Sequence, residues 1–223
     1  RLVNALYEHP SAGISFCRSS MIDEDGNLIG DDFLGREKSF RKRCAQDVLL
    51  NRKEMSRFLL HSCVIPNLSA AIFRKKSYKA AGGLTSAYRV CSDWAFFFKV
   101  VENYDVAYIA QPFNEFRQHE TTIRSNTKER VLYEEIVGLL LSEIQSLDLT
   151  LEELIKYKFH VMYLLASYVL RSSFSEILGI IYLLMVVLRF DAVAIIYLPL
   201  AIGLRLIQLP NKVLNKIYKA DLH

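Results

Sequence analysis

The feature that most constrains the fold is a change of pattern part-way along the chain. Between about residue 12 and residue 120, short strand-like and helix-like segments alternate, as in α/β proteins. Residues 127–159 then carry amphipathic helical periodicity. Apolar runs follow at residues 159–170, 177–188 and 192–204. We therefore expect an α/β region over residues 1–125 and an all-helical region over residues 126–223.

Local signals place the elements inside these regions. Alternation predicts a strand at 12–18, and Asp-Gly in "MIDEDGNLIG" predicts a hairpin turn. Gly82 and Gly83 predict the end of a short helix, and Ser92 predicts the capped start of another. Further elements are predicted as a helix at 44–61, strands at 66–75 and 105–113, and a helix break at 147–150.

Composition narrows the class of partner. The 223-residue chain is 52% hydrophobic and has a formal net charge of +4. This mild excess of positive charge suits an anionic small ligand or an anionic membrane surface. The Lys and Arg residues are scattered and form no recognisable nucleic-acid module, so we expect no nucleic-acid partner. The four cysteines lack CxxC spacing, which favours reduced thiols in the cytoplasm.

The tripeptide Asp23–Asp25 allows two interpretations. A D-x-D tripeptide holds a divalent cation against a diphosphate in nucleotide-sugar enzymes, because Mg²⁺ and Mn²⁺ prefer oxygen ligands. Here the acids run directly into Gly26 and a second apolar segment. This context favours a solvated hairpin turn over a metal site.

Asp93 is the main candidate for chemistry. It lies in "CSDWAFFF", directly before Trp94 and close to a run of Phe residues. An acid in the first turn of a helix is stabilised by the helix dipole, and the residue types alone favour that structural role. The alternative is a general base that accepts a proton from a hydroxyl nucleophile.

Arg117 and His119 are a second candidate pair. They are two residues apart in "FRQH", so an extended backbone places both side chains on one face. An Arg beside a His suits a phosphate or a metal that bridges phosphates. Taken by itself this signal is weak, because a single His without a visible partner is more often structural and a solvated loop explains the pair.

Three stretches in order are more specific than any single motif. They are "HPSAGISFCRSSMIDEDGNLIG", "PNLSAAIFRKKSYKAAGG" and "CSDWAFFFKVVENYDVAYIAQPFNEFRQH". Together they resemble the acceptor-side half of a family-2 glycosyltransferase with the GT-A fold, over residues 1 to about 125. The resemblance implies a partial GT-A-like mixed sheet with flanking helices, followed by an all-helical C-terminal appendage.

The resemblance also implies roles for individual residues. Asp93 falls at the position of the catalytic base, and Ser92 stands where many members have Glu. The resemblance implies that His119 binds the metal. The residues that it implies to bind substrate are Asn67, Ser69, Gly82, Gly83, Trp94 and Arg117. The implied reaction is an inverting transfer of a hexosyl group from a nucleotide-sugar donor to an acceptor hydroxyl. The acceptor would belong to the synthesis of cell-surface polysaccharide, lipopolysaccharide or lipid-linked glycan.

The chain departs from the family in one respect. The nucleotide-binding half of such enzymes, with its D-x-D motif, comes before the matched region, and Arg1 falls in the helix just after that motif. We therefore expect an N-terminally truncated fragment that is inactive by itself. The divalent cation, Mg²⁺ or Mn²⁺, is expected to be held mostly by the D-x-D motif that this chain lacks.

The apolar runs near the C-terminus raise the question of a membrane. Each run is shorter than the ~20 residues that span a bilayer, and "RFDA" is expected to connect two of them as a helical hairpin. One interpretation is a helical appendage packed on protein. The favoured one is association of residues 159–219 with the cytoplasmic face of a membrane. Lys212, Lys216 and Lys219 would then contact anionic lipid.

Two rivals to the enzyme remain open at this point. The first is a non-catalytic GT-A remnant that acts as a membrane-anchored interaction module. The second is a metal-dependent hydrolase built on Asp93 and His119, which has too few ligands to be favoured.

Overall fold

The computed structural model describes residues 1–118, 127–172 and 176–208. The chain divides into two compact units, Arg1–Lys128 and Glu129–His223. Each unit is described separately below.

The first unit combines a mixed sheet with helices. Its elements are α1 (Leu2–Glu8), β1 (Ala12–Ile22), β2 (Leu28–Asp31), α2 (Lys38–Arg43), β3 (Val48–Leu50), α3 (Arg52–His61), a 3₁₀ turn (Leu68–Ala70), β4 (Ala71–Phe73), α4 (Lys75–Ala80), α5 (Ser92–Val101) and β5 (Asp105–Arg117).

The long strands β1 and β5 form the centre of the sheet. The strand order is β2-β1-β5-β3, and β4 pairs with β1 on the same side as β2. β1 and β5 are parallel, whereas the other pairs are antiparallel. A parallel pair needs a long crossover connection, and here the segment between β1 and β5 carries α2 to α5.

Helices cover both faces of the central strands. On one face, Ala5 and Leu6 of α1 pack in a cluster with Cys17, Ala107 and Ile109. Neighbouring residues of a strand point to opposite faces, so Phe16 and Tyr108 lie on the other face. There they join an aromatic group with Phe40, whose ring centroid is 5.7 Å from that of Tyr108. Burial of these large rings supplies much of the stabilisation of this core.

The predicted helix over residues 44–61 is wrong in its first part. Val48–Leu50 form β3 and pair with Val106–Tyr108 of β5. The helix starts only at Arg52, where the Asn51 side chain accepts a hydrogen bond from the Glu54 backbone N–H at 2.9 Å. Strand pairing therefore overrides the helical spacing of the apolar residues, and the asparagine cap sets the boundary.

Two strand predictions also need correction in length. In the stretch 66–75 only Ala71–Phe73 form a strand, since the Asn67 side chain accepts from the Ala70 backbone N–H at 2.9 Å and holds a 3₁₀ turn. The predicted strand 105–113 extends to Arg117 because β1 pairs with it as far as Ile22.

The four cysteines are free thiols. Cys44 is completely buried, and burial raises the pKa of its thiol to about 12. Burial also raises the pKa of the Cys17 thiol. Both groups therefore stay protonated at neutral pH.

The second unit is helical. It contains α6 (Glu129–Ser146), α7 (Leu151–Val169), α8 (Ile177–Asp191), a 3₁₀ segment (Ala192–Tyr197) and α9 (Leu198–Gln208). The predicted break near residues 147–150 is confirmed. Thr150 accepts from the Glu153 N–H at 3.2 Å, and Glu153 accepts from the Thr150 N–H at 3.0 Å, which forms a capping box.

Helices α8 and α9 pack on different partners. α8 lies against α6, and α9 lies against α7. By length and composition alone, the stretch Ile177–Ile207 is apolar enough to cross a membrane. Taken together, the two units confirm the predicted class, an α/β mixed sheet with flanking helices followed by an all-helical region.

Candidate functional site

Asp93 is the second residue of α5 and is half-buried. Its Oδ1 accepts a hydrogen bond from the Trp94 backbone N–H at 2.7 Å. The prediction that Ser92 caps this helix is wrong. Cys91 holds the N-cap position, and the Ser92 hydroxyl instead donates to the Thr85 carbonyl at 2.5 Å. Ser92 therefore ties the preceding loop to the helix start and fixes the position of Asp93.

Trp94 anchors the start of α5 to α3. Its ring is 8% exposed, and its Nε1–H donates to the Leu59 carbonyl of α3 at 3.1 Å. The aromatic residues that follow continue the buried face, since Phe96 and Phe97 are almost fully buried. A rigid helix end therefore carries Asp93, while Trp94 serves mainly to anchor α5 against α3.

The charges of Asp93 and Arg36 have opposite effects on the pKa of the Cys63 thiol. Burial raises the pKa of the Cys63 thiol above its usual range. The negative charge of Asp93 raises it further, and the positive charge of Arg36 opposes both effects. Asp93 and Arg36 thus act with opposite sign on one half-buried thiol. Arg36 also donates to the Cys63 carbonyl at 2.5 Å.

Arg36 is held by a largely buried ion pair. Its Nη2 lies 3.1 Å from Asp32 Oδ2, and the two side chains are only 16% and 12% exposed. The other oxygen of Asp32 accepts from the Ser19 backbone N–H at 2.6 Å. This pair therefore links the loop after β2 to the middle of β1.

Amide and hydroxyl groups converge on the same Ser19. Asn114 Nδ2 of β5 donates to the Ser19 hydroxyl at 2.8 Å and to Asn67 Oδ1 at 3.3 Å. Asn67 Nδ2 lies 3.5 Å from the Ser19 hydroxyl, and Ser69 donates to Asn67 Oδ1 at 2.6 Å. Side chains from β1, β5 and the 3₁₀ turn therefore share one network.

We call this continuous network the polar seam. It consists of Ser69, Asn67, Asn114, Ser19, Asp32 and Arg36. The sequence prediction found Asn67 and Ser69 but missed the other four. The one local signal among these four is the pair of opposite charges, Asp32 and Arg36, four positions apart in "DDFLGR". Amide and hydroxyl groups in such a cluster suit hydrogen bonding to a polyhydroxylated ligand.

Gly82 and Gly83 have a clear structural role. Their φ angles are +77° and +74°, in the left-handed region. Gly83 N–H donates to the Tyr78 carbonyl at 3.0 Å, and Gly82 N–H donates to the Lys79 carbonyl at 3.1 Å. This pattern is a Schellman motif that ends α4, and it confirms the predicted helix stop.

Arg117 contacts the hairpin turn rather than the polar seam. Its Nη1 donates to the carbonyls of Asp23 and Glu24, at 2.9 and 2.6 Å. Asp23 in turn accepts from the Asn27 side chain and backbone, and these hydrogen bonds lower the pKa of its carboxyl group. The hairpin interpretation of this acidic turn is therefore confirmed.

The predicted metal ligand His119 lies outside the described residues. Within residues 1–118, 127–172 and 176–208, no group of three or more His, Cys, Asp or Glu side chains could hold a metal ion. The residues that can be assessed therefore do not form a site for the divalent cation that the resemblance implies.

A cavity of about 330 Å³ lies away from the polar seam. α1 and β3 line it, with Arg1 and Asp47 among its polar residues. Those two side chains pair with each other at 2.7 Å. None of the predicted site residues lines this cavity.

Comparisons with known proteins complete the description of the site. Searches against protein-family models and curated proteins find no match. Among solved structures, the chain is similar to S. aureus TarS 1–349, a glycosyltransferase crystallised in complex with UDP-GlcNAc, with a TM-score of 0.55 and 14% identity. The fold resembles that of a glycosyltransferase. The likeness covers 85% of this chain and 52% of TarS 1–349, so the chain spans about half the length of that structure.

Proposed function

We propose that this chain is the acceptor-side part of an inverting, family-2 glycosyltransferase with the GT-A fold. The observation that carries the proposal is the half-buried carboxylate of Asp93, rigidly held at the start of α5 in a chain with a glycosyltransferase-like fold. The reaction would move a hexosyl group from a nucleotide sugar to an acceptor hydroxyl. Acceptors in cell-surface polysaccharide, lipopolysaccharide or lipid-linked glycan synthesis fit this chemistry.

In this proposal Asp93 acts as the general base. It removes the proton from the acceptor hydroxyl while the oxygen forms a bond to the anomeric carbon. The bond between that carbon and the nucleotide diphosphate breaks in the same step, and the diphosphate leaves with the electron pair. One displacement at the anomeric carbon inverts its configuration.

The polar seam would orient the sugar. Its amide and hydroxyl groups can accept and donate hydrogen bonds to hydroxyls, and its buried ion pair keeps them in fixed positions. The glycines at the end of α4 and the Ser92 contact to Thr85 would shape the loop that leads to Asp93. Trp94 would support this site from beneath, through its bond to α3.

The donor diphosphate and its cation are assigned to a part that this chain does not contain. A divalent cation would neutralise the leaving group, and a D-x-D motif outside this sequence would hold it. Because Asp23–Asp25 form a hairpin turn, the chain by itself is proposed to bind donor weakly and to be inactive. No step of the mechanism above runs through the cation.

The test is Asp93→Asn in the complete polypeptide, with UDP-GlcNAc as the first donor because TarS binds it. Asn keeps the shape of the side chain and removes its basicity. We expect turnover to fall by about 10²- to 10⁴-fold with the donor dissociation constant unchanged, which is the typical contribution of a general base. Product release is followed by mass spectrometry, and donor binding by calorimetry.

Asp25→Asn is the matched control, since it makes the same change at the exposed hairpin turn. It should leave turnover within about twofold. Survival of full turnover in Asp93→Asn would refute the base assignment. Loss of turnover in Asp25→Asn would instead place the cation at the hairpin. If the complete polypeptide bound no nucleotide sugar, the chain would be a non-catalytic interaction module.

The proposed location is the cytoplasmic face of a membrane, as a peripheral protein. Nucleotide sugars are made in the cytoplasm, and lipid-linked or surface-destined acceptors lie at the membrane. The apolar helices of the second unit supply the structural basis for this location.

A further inference from the structure

The helices α8 and α9 carry an extended apolar surface that is largely exposed in the described part of the chain. Its members are large aliphatic side chains with 38% to 79% of their area exposed, and we call them the apolar face. They are Leu178, Ile181, Met185 and Leu188 of α8, Val193 and Ile196 of the 3₁₀ segment, and Leu200, Leu204 and Ile207 of α9. Their spacing of three or four residues puts them along one side of each helix.

The opposite sides of these helices are held by the first two helices of the unit. On α8, Leu183 and Val187 are fully buried, and the Gln145 side chain of α6 donates to the Phe190 carbonyl. On α9, Arg205 donates to the Ser167 hydroxyl of α7 at 2.7 Å and lies over the Tyr163 ring. The apolar face is therefore the outer side of helices whose inner side is already fixed.

A single straight membrane span does not fit this arrangement. Asp191 has φ −159° and ψ 88°, and its carboxylate caps the next segment by accepting from the Val193 and Ala194 N–H groups. Lys158 of α7 pairs with the same carboxylate at 2.6 Å, with exposures of only 14% and 9%. A straight span over Ile177–Ile207 would place the Asp191 carboxylate near the centre of the bilayer, which is costly.

The length of each helix leads to the same conclusion. α8 has 15 residues and α9 has 11, which correspond to about 22 Å and about 16 Å. The hydrocarbon core of a bilayer is about 30 Å thick. Neither helix is long enough to cross the hydrocarbon core alone. A helix that lies in the plane of the membrane–water interface does not need that length.

Composition and charge favour lipid over a second protein chain. From Ile177 to Leu188 the sequence has no charged residue, whereas protein interfaces include many polar groups. Arg189 is exposed at the end of the apolar stripe of α8. Arg205 faces α7, so the cationic residues after Ile177 that remain for this surface are Arg189, Lys212, Lys216 and Lys219, against two aspartates. Such a pattern complements an anionic phospholipid surface.

We propose that the apolar face docks in the plane of an anionic membrane and does not cross it. The aliphatic side chains would enter the headgroup and acyl boundary, and the exposed Arg189 at the end of the stripe would contact lipid phosphates. The Asp191 turn, fixed by Lys158, would keep α8 and α9 at the interface.

The experiment is cosedimentation of the 223-residue chain with phosphatidylcholine vesicles, with and without phosphatidylglycerol. We expect binding to the anionic vesicles and release by alkaline carbonate, as for a peripheral protein. Leu178→Gln should lower partitioning about tenfold or more, since it removes an apolar side chain that would be buried in the lipid boundary. Arg189→Gln should reduce the preference for phosphatidylglycerol while leaving the helices intact.

The matched control is Leu151→Gln, because Leu151 is as exposed as Leu178, at 73% against 76%, but begins α7 and lies off the apolar face. It should bind vesicles as the unchanged chain does, and circular dichroism should show that all variants are folded. Equal loss of binding in the control would overturn the proposal, as would resistance to carbonate. If the unchanged chain did not bind vesicles and Leu178→Gln converted an oligomer to a monomer, the apolar face would be the contact with a second copy of the chain.

Discussion

At the scale of single side chains, Arg36 forms one end of the polar seam and ties it to the loop that carries Cys63. It contacts Asp32 and the Cys63 carbonyl, and both charged side chains are largely buried. Breaking a buried ion pair from one side leaves the remaining charge without compensation. Arg36 is therefore a position where a local substitution should have a large effect on stability.

We predict that Arg36→Met lowers the free energy of unfolding of the first unit by about 3 kcal/mol, because Asp32 then remains charged and unpaired. Trp94 is the single tryptophan of the chain, so its fluorescence during urea unfolding reports on this unit. The double variant Asp32→Asn with Arg36→Met should lose less than the sum of the two single variants. Strict additivity would show that the pair does not couple.

Single residues also show what sequence could and could not predict. The order of neighbouring motifs singles out Asp93, and the structure places it at a fixed helix end, while its role as base stays a prediction. Ser19 and Asn114 were missed, because neither residue has a distinctive local pattern. They meet only when β1 and β5 pair in parallel, and that contact joins residues 95 positions apart. Local patterns carry little information about such contacts.

At the scale of elements, the glycine stop of α4 and the break before α7 are predictable from the sequence, whereas the starts of α3 and α5 are not. Glycines with positive φ and the Thr150 capping box fix boundaries through local hydrogen bonds, so the sequence indicates them directly. β3 was mistaken for helix because its short apolar run fits both periodicities. Only its pairing with β5 decides between the two, and that information lies far along the chain.

The end of α4 gives a prediction at this scale. Gly82→Ala should destabilise the first unit by about 1–2 kcal/mol, because an L-residue is strained in the left-handed region. Urea unfolding followed through Trp94 measures the change. Gly30→Ala is the control. A Cβ there would meet Met21 at an ordinary 3.7 Å, so stability should stay within about 0.5 kcal/mol of the unchanged chain. Equal losses at both positions would argue against a specific role for the helix stop.

At the scale of the whole molecule, the two units carry different proposed tasks. The likeness to TarS covers more of the chain than Arg1–Lys128 alone, so both units belong to the region of similarity. The polar seam and Asp93 lie in the first unit, and the apolar face lies in the second. Sugar chemistry and membrane docking should therefore be separable by experiment.

The fragment Arg1–Lys128 tests this separation. We predict that it folds by itself, because α1 covers one face of its sheet and α3 and α5 cover the other. Its Trp94 emission should match that of the whole chain, and its thermal unfolding should remain cooperative. It should fail to sediment with anionic vesicles that bind the whole chain, since it lacks α8 and α9.

Two results would contradict this division of tasks. A red-shifted Trp94 emission in the fragment would mean that the core around α5 depends on residues 129–223. Vesicle binding equal to that of the whole chain would place the lipid-binding surface in the first unit, where Leu28 and Phe113 are exposed at 72% and 52%. Leu28→Gln in the whole chain would then separate the two surfaces, because only a first-unit surface would lose vesicle binding through that change.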